Sequence, residues 1–194
     1  MSNKYIPPCR RSNPQQSKSI RSPTKSYQQQ RSITLKTEYR YKTIVIPKIK
    51  DKYVIVRDSK SNDTTFITGG CKLNEPPINC AKREFIEESK KSINISNLNL
   101  EWIGNFQSGN RSYSEKLKNK KERVIVKNIY NIYIINLRLN YTNFRSIQNK
   151  FNKYNNTSNE FKETSNIYLK SLSEIKNDPS MWSFMKINVI PFLN

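Results

Sequence analysis

Glu84, Glu87 and Glu88 stand at i, i+3 and i+4, and a helix stepping about 100° per residue gathers them into one arc about 100° wide. Three like charges at that spacing repel one another unless cations neutralise them. Hard oxygen-seeking ions such as Mg²⁺ or Mn²⁺ suit the task, above all with a phosphate substrate to complete the coordination. The competing account is an ordinary solvated face, its charge balanced by Arg83, Lys90 and Lys91. The chain has no histidine, so imidazole-based triads and general bases are excluded and carboxylates must carry any acid–base chemistry. Cys9, Cys71 and Cys80 form an odd set without CxxC spacing, which supports neither a disulfide framework nor a zinc site.

These glutamates need a helix, and the sequence offers one over 77–91. Pro76-Pro77 can open it, and Ile78, Ala81 and Phe85 follow at the spacing of a buried stripe on a different arc from the carboxylates. One helix can thus pack into a core and present carboxylates to a cleft. Ahead of it, segments 43–49 and 52–58 are β-branched and separated by Lys50-Asp51, which reads as a hairpin. A short strand then ends in Gly69-Gly70, the one glycine pair in a chain with four glycines.

The segment from Gly69 to Glu88 resembles the Nudix box. That motif runs as glycine, five residues, glutamate, seven residues, Arg-Glu, an apolar residue, any residue, Glu-Glu, any residue and glycine. Gly69, Glu75, Arg83, Glu84, Phe85, Glu87 and Glu88 match it without insertion. Lys90 stands where the motif has its last glycine, so the helix is expected to run on or to close at Asn94. The resemblance implies an α/β class, a Nudix-type α/β/α sandwich with a mixed sheet. It implies Mg²⁺ or Mn²⁺ as cofactor, held by Glu84, Glu87, Glu88 and the Gly69 carbonyl. Arg83 would hold the carboxylates in place, and Glu75 would support the loop or bind the ion through water. The implied reaction is hydrolysis of a nucleoside diphosphate linked to another group, and Glu163, with Glu160 next in line, is the candidate further base or ligand outside the box.

Further along, 100–107 reads as a strand, 110–123 as a polar loop, 124–137 as one strand or two, 141–158 as an Asn-rich stretch with a weak helix around 143–151, and 167–172 as a strand. A C-terminal helix is expected over 178–193, starting at Asp178 or Pro179. Residues 1–38, rich in Ser, Gln, Pro and basic residues, read as a disordered basic tail before a domain at 39–194. The tail is either an electrostatic arm for nucleic acid or a solubilising extension.

Composition bears on the substrate. Lys and Arg number 35 against 15 Asp and Glu, a net charge of +20, which suits a long polyanion better than a free nucleotide. Cys80-Ala81-x-Arg83-Glu84 resembles the mRNA-decapping branch of the family, including enzymes of large DNA viruses, so capped RNA is the expected partner. Arg111, Lys116, Lys118, Lys120, Lys121 and Arg123 offer a path for the RNA backbone, and Trp102, Phe106, Tyr113 and Trp182 are candidate stacking partners. The alternatives are hydrolysis of free nucleotides or dinucleoside polyphosphates, and a catalytically silent RNA-binding module. No apolar run is long enough to span a bilayer and the first residues lack a signal-peptide pattern. An intracellular location is expected, the host cytoplasm if the chain is viral.

Overall fold

A computed structural model describes residues 35–94, 99–117, 120–154, 158 and 161–193, with backbone alone for Leu35, 110–117 and 120–123. All of these residues belong to the unit Ile33–Asn194. Its centre is β1 (Leu35–Ile49), whose β-branched second half alternates between two cores. Val45 and Ile49 enter one, while Ile44 and Ile46 enter the other. The Lys50-Asp51 turn, with Lys50 at φ 55°, leads into β2 (Lys52–Asp58), which pairs antiparallel with the end of β1 and confirms the hairpin. The single strand expected next is split into β3 (Thr64–Thr65), paired with β2, and β4 (Ile67–Gly70), paired with β1. Phe66 sits at the break with its ring wholly buried.

Helix α1 (Pro77–Glu88) follows, with Pro77 in its first turn. Its buried stripe is Cys80, Ala81, Glu84, Phe85 and Glu88, so one face carries both core and carboxylates. It neither continues nor closes at Asn94. Lys90 at φ 50° and Lys91 at φ 55° turn the chain left-handed just past the helix, where the Lys90 N–H donates to the Glu87 carbonyl. Lys90 therefore makes the turn that a glycine would make, at a backbone cost of about 1–2 kcal/mol. Its ammonium lies over the Phe151 ring, 4.5 Å from the centroid, a contact that offsets part of that cost.

Residues 110–117 and 120–123, read as loop, are strand. Strands β5 (Leu100–Leu117) and β6 (Lys120–Asn136) form one long antiparallel pair from Leu100 opposite Ile135 to Leu117 opposite Lys120, its register shifting between Trp102 and Gly104 and again between Ser108 and Asn110. The backbone ladder holds this polar stretch extended, and β1 adds a parallel strand along β6 from Leu35 opposite Arg123 onward. That pairing also places 35–38 within β1, ahead of the domain start at Tyr39 read from composition.

Helix α2 (Tyr141–Asn152) is closed at its start by a capping box between Asn140 and Asn143, and β7 (Thr164–Ser171) pairs with β2. The C-terminal region is not one helix from Asp178. It forms α3 (Leu172–Asn177), α4 (Ser183–Asn188) and a closing 3₁₀ turn, Ile190–Leu193. Ser171 and Glu174 make a capping box that starts α3 at Leu172, well before the expected start, and Asp178 ends it. Helices α1 and α2 pack on one sheet face around Phe85, Phe144 and Phe151, and α3 and α4 pack on the other around Ile175 and Met185. The result is a mixed sheet between two helical layers.

Candidate metal and phosphate site

Strand β4 ends against α1 at Gly69. A Cβ built on Gly69 would lie 1.8 Å from Cδ of Glu84, so only glycine lets this carboxylate lie flat against the strand. Glu84 and Glu88 are buried, facing β4, and the Thr68 N–H donates to Glu88 Oε1 at 3.4 Å. Burial pushes the Glu84 carboxyl above its usual range against the pull of Arg83. Burial again, reinforced by the neighbouring Glu84, holds Glu88 well above it. Two carboxyls thus share a low-dielectric pocket without enough positive charge to settle both.

Arg83 organises the rest. Its Nε and Nη2 donate to Glu75 Oε1 and Oε2, both at 2.9 Å, a bidentate pair. Nη1 donates to Glu84 Oε1 at 2.7 Å and Glu87 Oε2 at 3.1 Å, and Nη2 also reaches the Gly70 carbonyl at 2.9 Å. One guanidinium therefore ties the loop, the strand and the helix together. The Arg83 hydrogen bonds hold Glu75 down at about 2, and the Lys72 N–H adds a further bond to its carboxylate at 2.8 Å.

Arg83 does not reach Glu88 in the described hydrogen bonds. The donor set, hard oxygens at one wall with a surplus of negative charge, fits a divalent cation of the Mg²⁺ or Mn²⁺ kind.

Glu88 also lines a cleft of about 390 Å³ with Asp58, Lys60, Thr68, Glu163 and Trp182. Glu163 is exposed just before β7, and its carbonyl accepts from the Ser59 N–H at 2.8 Å. Of the predicted residues, the structure brings Gly69, Glu75, Arg83, Glu84, Glu87 and Glu88 into one cluster, and Glu163 lines the same cleft as Glu88. Glu160, Lys118 and the tail through Thr34 lie outside the described residues, as do the side chains of Arg111, Lys116, Lys120, Lys121, Arg123 and Tyr113.

The stacking candidates separate. Trp182 stacks on Phe184 at 4.6 Å between centroids and borders the cleft, whereas Phe106 stacks on Tyr130 at 5.1 Å beneath the α3–α4 layer. Trp102 is exposed. Sequence reasoning missed Asp58 and Thr68, which become neighbours of Glu88 only through the sheet register. It also missed the meeting of Cys71, Glu75 and Cys80, whose ligand atoms lie within 4.8 Å of one another. The two thiols stand nine positions apart, and no motif marked them as a pair.

No family model matches the chain, and no curated protein matches it. Solved structures do. The dihydroneopterin triphosphate pyrophosphohydrolase of E. coli superposes with a TM-score of 0.51 at 12% identity, covering 78% of this chain and 94% of that one. An Ap4A hydrolase of C. elegans, solved as a binary complex, gives a TM-score of 0.45 at 14% identity over 80% and 93%. A NUDIX-family hydrolase from Clostridium perfringens gives 0.38 at 15% over 79% and 97%. The chain has a Nudix-type fold, a mixed sheet with helices on both faces.

Proposed function

We propose that this chain is a Nudix hydrolase, dependent on Mg²⁺ or Mn²⁺, that cleaves a pyrophosphate bond at the 5′ cap of mRNA and releases capped nucleoside diphosphate. The observation that carries the hydrolase reading is the Arg83 clamp on Glu75, Glu84 and Glu87, beside a Glu88 that the clamp leaves unneutralised, in the register of the Nudix box. The fold agrees with it, and the E. coli neighbour is by its description a pyrophosphohydrolase. The choice of capped RNA rests on the net charge of +20 and on the decapping-like helix entry.

Glu84, Glu87 and Glu88, with the Gly69 carbonyl, would hold the cation, which when bound supplies positive charge for the phosphate oxygens. Arg83 keeps Glu84 and Glu87 from swinging away, and Glu75 fixes Arg83 in turn. Glu163, which lines the same cleft as Glu88, would take a proton from the attacking water. The water oxygen bonds to phosphorus as the bridging P–O bond breaks, and the released phosphate oxygen carries off the bonding electrons. Val56, Thr65 and Trp182 line the same cleft.

The test uses the full chain with cap-labelled RNA, free nucleotides and dinucleoside polyphosphates, with and without Mg²⁺ or Mn²⁺. Labelled capped nucleoside diphosphate from RNA is expected, lost in Glu87→Gln and Glu88→Gln. Turnover of small substrates alone would assign the chain to nucleotide clearance, and RNA binding without turnover would make it a silent module.

A further inference from the structure

A second cleft, of about 890 Å³ and larger than the carboxylate cleft, lies between the first half of β1 and the 70–77 loop. Its β1 wall is set by strand alternation. Val45 is in the α1-side core and Thr43 Oγ1 lies 3.6 Å from Cys80 Sγ on α1, so Tyr41 and Tyr39 stand on that same sheet face. Helix α1 starts at Pro77, and α1 covers the face only from Thr43 onward. Tyr39 is 52% exposed, Tyr41 49% exposed, and Leu73, at the loop wall opposite, 93% exposed. Their same-face partners on β6, in parallel register, are Lys127 beside Tyr39 and Ile129 beside Tyr41. Lys72, exposed, adds a second cation from the loop.

We propose that this cleft is a binding site for single-stranded RNA leaving the carboxylate centre, with Tyr39 and Tyr41 stacking on bases and Lys72 and Lys127 meeting phosphates. The inference rests on the RNA reading given above and adds to it a place on the protein. Two side chains at i and i+2 on a strand are spaced by about 6.8 Å, room for one flat base between two rings. Aromatic rings interleaved with lysines form a surface that holds any base by its face and any phosphate by charge. The Gly70 carbonyl and Glu75 border this cleft and both accept from Arg83, so a strand in it runs directly beside the carboxylate cluster. A free nucleotide held at Glu84 and Glu88 would not extend this far, and the cleft therefore separates long substrates from short ones.

The experiment measures binding of a short, unstructured, uncapped RNA to the full chain in EDTA by fluorescence anisotropy, independently of any hydrolysis. Tyr39→Ala/Tyr41→Ala is compared with Tyr39→Phe/Tyr41→Phe, and turnover of a small capped dinucleotide is followed in parallel. The alanine pair is expected to weaken RNA binding by about tenfold or more, the phenylalanine pair by less than about twofold, with dinucleotide turnover little changed. Undiminished RNA binding by the alanine pair overturns the proposal. So does an equal loss in the phenylalanine pair, an equal loss of dinucleotide turnover, or an absence of RNA binding in the parent chain. If the parent chain binds RNA through these rings yet releases nothing from capped RNA, the decapping reading fails and the binding site stands.

Discussion

Gly69 is defined by what a side chain there would strike. A methyl group would displace the Glu84 carboxylate, the end of a flexible side chain, so Gly69→Ala is expected to fold while moving an oxygen of the proposed cation site. Misplacing such a group by about 1 Å costs on the order of 10²-fold in rate. Cap-release kinetics beside a thermal melt checks this: near-parental turnover would show that Glu84 is not needed where it lies. Glu88 makes the opposite case. Burial that raises its carboxyl opposes folding at neutral pH, because the unfolded chain ionises the group more readily, so Glu88→Gln is expected to raise the melting temperature of the metal-free protein, by about 2–4 °C for each kcal/mol relieved. The same change should abolish the stabilisation that the parent gains from added Mn²⁺. A variant that melts lower without metal, or keeps the full Mn²⁺ response, contradicts the account. The arc shared by Glu84, Glu87 and Glu88 was legible because helix period alone sets it. That Glu84 and Glu88 turn inward while Glu87 stays at the rim with Arg83 was not, since it depends on β4 pairing with β1 in one particular register.

Where elements meet, Asp178 does more than end a helix. Buried, it accepts from Lys170 Nζ on β7 at 2.7 Å, from Thr64 Oγ1 on β3 at 3.0 Å, and from the Ser180 N–H and Oγ at 2.9 and 2.7 Å. Burial alone would raise its carboxyl, but these hydrogen bonds outweigh burial and hold it well below the usual range. A carboxyl lowered on folding binds fewer protons in the native than in the unfolded chain. Its contribution is therefore complete above the unfolded value of about 3.9 and fades as pH falls toward the folded one. Asp178→Asn is expected to cost about 1.5–3 kcal/mol at neutral pH and to flatten the decline in stability below about pH 4. Denaturant melts across that range measure both, and parallel acid limbs would refute the assignment. The sequence signal for this junction was present in Ser171-x-x-Glu174, a capping box that starts α3 before Asp178. The polar residues 110–117 and 120–123 carried no comparable signal, because their strand character comes from the ladder between β5 and β6 and not from their side chains. At Lys90 the missing glycine marked the right place for the helix to stop, and the backbone turned there regardless.

Across the whole molecule, charge separates what the carboxylate centre does from what a long substrate requires. The basic residues ahead of β1 are Lys4, Arg10, Arg11, Lys18, Arg21, Lys25 and Arg31, with no acidic residue among positions 1–34. Counterion release predicts that each one meeting a phosphate of single-stranded RNA contributes about 0.7 to the slope of log affinity against log salt. Where the truncation ends matters, because Leu35–Glu38 pair with Arg123–Val126 in the β1–β6 ladder. Removing 1–34 is expected to preserve the melting temperature and weaken RNA binding at low salt. It should lower the salt slope by about 0.7 for each phosphate that the tail no longer neutralises, and leave a small capped dinucleotide turning over at the parental rate. Removing 1–38 should reproduce the loss of RNA binding and also lower the melting temperature, since it strips β1 of paired backbone. Titrations of RNA at several salt concentrations, with both truncations and the parent, separate the two effects. An unchanged slope without 1–34 would assign the RNA affinity to the folded unit alone, the Tyr39–Tyr41 cleft included, and leave the tail as a solubilising extension.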